Sequence, residues 1–124
     1  MPTRAPSLVR FLRGRAGNGL RVVGLYADDT CRLEYRRDDL DETRVREILA
    51  EIHRNLTAGR QDETLLRDRL GPETASVQLR ESGVVLHLQD EQRGAIVSME
   101  RGVARNLDMF AQECLDVLTS YRSE

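Results

Sequence analysis

The chain contains no lysine and no tryptophan, and all 19 of its basic residues are arginine. Only 4% of its residues are aromatic, so its core has to be built from Leu, Val and Ile rather than from large rings. Its two cysteines, Cys31 and Cys114, stand far apart with no Cys-x-x-Cys or paired Cys/His spacing around them. That disfavours a zinc site, argues for no disulfide, and reads as free thiols. No apolar run approaches the roughly 20 residues that cross a bilayer, so no membrane span is expected. Residues 1–17 lack the continuous apolar segment of a secretory leader. Together these absences lead us to expect a cytoplasmic protein.

What remains is a globular balance, 40% hydrophobic and 32% charged over 124 residues, which suits one domain with one core. The charge is uneven. Residues 1–27 hold Arg4, Arg10, Arg13, Arg15 and Arg21 and no acid, while residues 28–124 are net acidic, for an overall charge of −2. We divide the chain into an Arg-rich arm with a short helix, 1–19, and a single α+β domain, 20–124. Such an arm can attract an acidic partner or a phosphate backbone, or simply offset the acidic remainder. Arginine without lysine fits a GC-rich genome, and also a salt-adapted host, although −2 is mild for the latter.

Periodicity yields the elements. In residues 7–15, Leu8, Phe11 and Leu12 recur at helical spacing behind Ser7 as a cap, before Gly14, Gly17 and Gly19 break the chain. Residues 20–26 and 31–36 read as a strand pair across an Asp-rich turn, with Cys31, Leu33 and Tyr35 on one side. A helix over 42–56, capped by Asp41 or Asp39, bears a narrow stripe of Val45, Ile48, Leu49, Ile52 and Leu56. Residues 57–72 are the weakest pattern, with a short helical turn around Leu65, Leu66 and Leu70. Strands follow at 74–80, with Val77 and Leu79 inward, at 83–88 and at 94–99, joined by hairpin-length connections. A last helix over 102–121 carries Val103, Leu107, Phe110, Cys114, Val117, Leu118 and Tyr121. The predicted fold is α+β in the order α-β-β-α-β-β-β-α, one five-stranded antiparallel sheet with helices packed on it.

Catalytic patterns are scarce. His53 is expected at the flank of the middle helix or facing solvent, and His87 on the strand face opposite Leu86; each alone is more often structural than a ligand or base. Asp28, Asp29, Asp38, Asp39 and Asp41 form an acidic cluster without calcium-loop spacing, and turn formation and capping account for them, with Arg36 and Arg37 placed to neutralise part of the charge. The run from Gly14 to Gly19 lacks the Lys and Ser/Thr of a phosphate loop and precedes a strand instead of opening a helix. Ser76, Ser82 and Ser98 lack a Gly-x-Ser-x-Gly context. No catalytic residue, metal ligand or cofactor is assigned, and the chain reads as no enzyme.

The element order resembles the roadblock/LC7 fold, a relative of the profilin-like and longin folds, over nearly the whole chain. At the run Leu33-Glu34-Tyr35-Arg36-Arg37-Asp38-Asp39-Leu40, at Gly83-Val84-Val85-Leu86-His87-Leu88, and in the strand 94–98 followed by a C-terminal helix, the chain is similar to short haloarchaeal proteins of unknown function. The roadblock-like resemblance implies a non-catalytic, homodimeric platform for a protein partner such as a small GTPase or signalling protein. Sheets in that fold join edge to edge and middle helices pack together, which here implicates Val45, Ile48, Ile52, Val77 and Leu79. The alternative expectation is a nucleic-acid-binding regulator whose phosphate contacts are Arg10, Arg13 and Arg15. A small-ligand sensor or enzyme stands third.

Overall fold

A computed structural model describes residues 5–27, 30–59, 64–90 and 93–106, together with 109, 112–113 and 115–117. Helix α1 (Ala5–Ala16) leads through a 3-10 turn (Gly17–Gly19) into strands β1 (Leu20–Ala27) and β2 (Thr30–Arg36). Helices α2 (Glu42–Gly59) and α3 (Thr64–Leu70) precede β3 (Ala75–Arg80), β4 (Gly83–Gln89) and β5 (Arg93–Met99). A second 3-10 turn (Arg101–Ala104) follows, and the described residues beyond it are helical. The fold is the expected α+β arrangement around one antiparallel five-stranded sheet, in the order β2-β1-β5-β4-β3.

That order follows from the connections. Two short hairpins make β1–β2 and β3–β4, and a third joins β4 to β5, where the Asp90 and Arg93 backbones pair at 2.9 Å. The long link from β2 to β3 must carry the chain from one edge of the sheet to the other, and α2 lies within it. Asp41 caps α2 by accepting the Arg44 N–H at 2.9 Å, as expected for an acid at a helix start.

Helices cover both faces. On the first face, Leu12 of α1 packs with Leu20, Val23, Val84, Val97 and Met99, and Val103 and Ala104 lean on the same cluster. On the second, Leu49 of α2 packs with Tyr26 and Ile96, supported by Leu33, Ile52, Leu56 and Val85. Gly24 makes this approach close: a Cβ there would meet the Leu49 methyls at 2.6 Å.

Several expectations are corrected. Tyr35 does not share a face with Cys31 and Leu33. Val23 pairs with Tyr35 but Gly24 pairs with Leu33, so Glu34 is the extra residue of a β-bulge and side-chain parity flips there. Tyr35 therefore joins the first-face core while Cys31 and Leu33 join the second. A second bulge, at Arg21, sets Leu20 and Val23 on one face despite their odd spacing. Helix α1 starts before Ser7, so Ser7 is no cap, and Phe11 lies on the surface rather than in the core. Val77 is 41% exposed because β3 is an edge strand, whereas Leu79 is half-buried against the first-face core. Val117 is exposed, which removes it from the predicted C-terminal stripe. Leu107, Phe110, Cys114, Leu118 and Tyr121 lie outside the described residues, as do Asp28 and Asp29. The leucines of α3, Leu65, Leu66 and Leu70, are all exposed.

Candidate functional site

Three places on this scaffold concentrate chemistry or unpaired surface. The first is the edge strand β3. Thr74 accepts a hydrogen bond from the Gln89 N–H at 2.9 Å, and the antiparallel ladder repeats every second residue. Even-numbered residues of β3 therefore bond to β4, and the backbone groups of Ala75, Val77 and Leu79 point outward from the sheet. The register with β4 runs without a shift from Ala75 to Arg80. Of the residues expected at a partner surface, Val45 is buried on the inner side of α2 and so is no surface residue, Ile52 and Leu79 are half-buried against the cores, and Ile48 and Val77 are exposed.

The second place is a cleft of about 620 Å³ between the end of α1 and β2, lined by Arg10, Arg13, Gly14, Gly17, Asn18 and Glu34 among others. The three arginines of the arm part company here. Arg10 and Arg13 line the cleft, and Arg13 also lies over the Tyr35 ring at 5.5 Å. Arg15 turns away to stack on Phe11 at 5.4 Å. Behind the cleft, Arg37 ties three segments together: it donates to both oxygens of Asp39, to Glu100 at 2.7 Å and to the Asn18 carbonyl at 2.7 Å. Its bonds to Asp39 first, and to Glu100, hold the Arg37 guanidinium above its ordinary value, and Arg37 in turn holds the Asp39 carboxyl below its own. The expected neutralisation of the Asp cluster is therefore met by Arg37 at Asp39 but not by Arg36, which bonds the Leu40 carbonyl and lies 3.9 Å from Glu42 instead.

The third place is a buried polar chain on the second face. His87 does point away from Leu86, as expected. It is 3% exposed, and its Nε2 lies 2.6 Å from the hydroxyl of Tyr26, itself 6% exposed. The Nδ1 of His87 lies 3.9 Å from Glu73, whose carboxylate also accepts from Gln89 at 3.3 Å. Tyr26 and His87 are on strands separated by β5, and the ring crosses β5 over Gly94, where a Cβ would sit 2.4 Å from it. His53 does not face solvent: it is half-buried, with its ring centroid 4.8 Å from that of Tyr26. Sequence reasoning treated the two histidines as isolated because nothing local links them. The available signal was Gly94 on a central strand, an absent side chain that another residue has to fill.

Among the described residues no group of three or more His, Cys, Asp or Glu side chains is placed to hold a metal ion. Among them, too, no helix is long and apolar enough to cross a membrane. A family model described as a domain of unknown function (DUF7522) matches residues 6–119. No curated protein matches the chain.

Proposed function

The chain belongs to this family of unknown function, and from its geometry we propose that it is a non-catalytic interaction module that dimerises through β3. The observation behind this reading is the β3 edge itself. It is regular, it ends the sheet, and its outward N–H and C=O groups sit beside the exposed side chain of Val77. A strand in that state is a template for a further strand, and two copies related by a two-fold axis would satisfy each other in one continuous sheet. Val77 would then face its counterpart across the axis and lose its contact with water. Ile48, 52% exposed, sits on α2, which packs chiefly against β2 at the opposite edge, so it lies outside this pairing. The resemblance of the element order to roadblock/LC7 proteins supports the same reading and suggests that the dimer serves as a platform for a protein partner of the small-GTPase or signalling kind.

Size-exclusion chromatography with light scattering tests it. The native chain is expected to run as a dimer. Val77→Pro removes an outward N–H without touching the β4 ladder, so it is expected to run as a folded monomer. A native chain that is monomeric at every concentration, or a Val77→Pro chain as dimeric as the native one, would overturn the proposal.

A further inference from the structure

We propose that the cleft beneath the C-terminal half of α1 binds a small phosphomonoester that carries hydroxyl groups, with Arg10 and Arg13 holding the phosphate and Glu34 accepting from a hydroxyl. The cleft lies against β2, at the opposite edge of the sheet from β3, so it stays open in the proposed dimer and does not depend on it.

Charge comes first. Arg10 and Arg13 form no ion pair among the described residues. Glu34 is matched by Arg32, with which it forms a salt bridge, so its carboxylate does not cancel the two guanidinium groups. The carbonyl end of α1 offers only about half a negative charge, which the pair outweighs. A guanidinium presents a planar fork of donors that fits phosphate oxygens, and two of them suit a dianion.

Shape comes second. The β-bulge makes Glu34 the extra residue of β2, and bulges redirect side chains in this way; here Glu34 lines the cleft. Gly17 takes a φ of +58°, a conformation that a side chain would strain, and turns the chain around the cleft. The carbonyl of Asn18 is held by Arg37, and Arg13 is steadied by the Tyr35 ring, so both walls are fixed before any ligand arrives. The cleft is open to solvent along one side, with about 620 Å³ of space over its lining, so a small polar ligand can enter without rearrangement.

The same features argue against a nucleic-acid track. A duplex engages a row of cations, yet Arg15 is diverted onto Phe11 and Glu34 puts a carboxylate into the same lining as Arg10 and Arg13. Residues 28–124 carry more acids than arginines.

Calorimetric titration of the full chain with inorganic phosphate, ribose 5-phosphate and a short DNA duplex tests the assignment, with circular dichroism to confirm that each variant folds. Ribose 5-phosphate is expected to saturate one site per chain. Arg10→Gln and Arg13→Gln should each weaken it roughly tenfold, the loss of a charged hydrogen bond. Arg15→Gln should change it by less than about twofold, as for an exposed charge away from the ligand. Glu34→Gln should weaken ribose 5-phosphate but not inorganic phosphate. The absence of saturable binding by either phosphate probe at millimolar concentration would overturn the proposal. So would equal losses from Arg15→Gln and Arg13→Gln, or tighter binding of the duplex with a steep salt dependence, which would make the surface a nucleic-acid contact.

Discussion

The two faces of the sheet are built from the same five strands, yet they solve burial differently. The first face is aliphatic: Leu12, Leu20, Val23, Val84, Val97 and Met99 close on one another with no polar atom among their side chains. The second has a smaller apolar cluster under α2 and, beside it, the Tyr26–His87 hydrogen bond. What differs is the side-chain volume supplied by the strands. Glycines at positions 24 and 94 open two gaps on the second face; Leu49 fills one from above and the Tyr26 ring fills the other from the side. A face that is short of side chains is completed by reach, and reach brought a tyrosine hydroxyl to a histidine that no local pattern connects to it.

The largest expected effects lie at the apolar anchors of the two faces. Leu12→Ala on one face and Leu49→Ala on the other should each cost about 2–5 kcal/mol in chemical denaturation, because both side chains are buried and neither site can collapse freely. A loss confined to Leu12→Ala would show that α2 merely rests on the sheet.

The polar pair comes next. Tyr26→Phe should cost about 1–3 kcal/mol, the range for removing one partner of a buried hydrogen bond. In a double-mutant cycle with His87→Leu, the pair should show a coupling of about 0.5–3 kcal/mol, whereas Tyr26→Phe and Leu12→Ala, on opposite faces, should add.

A smaller effect separates the second face from solvent. Burial pushes the Cys31 thiol above its ordinary value of 9.0, against a weaker downward pull from the backbone of Arg32. A raised value means less thiolate at a given pH, so iodoacetamide should modify Cys31 in the folded Cys114→Ser chain more slowly than in the same chain unfolded, at about pH 8. Equal rates would place Cys31 in water.

The smallest effect lies off both faces, at Asp39. Its carboxyl is held below the ordinary 3.8 by the bonds from Arg37, so its stabilising contribution is complete above that value and is lost as pH falls through the lowered one. Asp39→Asn should remove part of the acid-side loss of stability below about pH 4 and leave its slope near neutrality unchanged. An unchanged acid limb would mean that the Arg37 node does not form in solution.

The places where sequence reasoning stopped are specific. Alternation identified the strands, including the near-continuous apolar run of β4, because a period of two survives wherever the backbone is regular. It failed at Tyr35, since a bulge one residue away reverses parity without leaving a mark in the composition. It failed at Phe11, where helical spacing is met but the neighbouring Arg15 covers the ring instead of the core. It placed Arg10, Arg13 and Arg15 in one charged arm, and only the geometry showed that two face a cleft and the third does not.

The amino-acid order by itself determined the elements, their succession and the antiparallel pairing of neighbours, because these depend on periodicity, turn chemistry and short connections that are local. The folded arrangement alone sets which face each helix covers, that β3 ends the sheet, that Glu34 lines one cleft with Arg10 and Arg13, and that Tyr26 meets His87. Those meetings depend on strand order, bulge position and the space left by glycines, quantities set by residues more than 60 positions apart in the Tyr26–His87 pair, with no shared local signal.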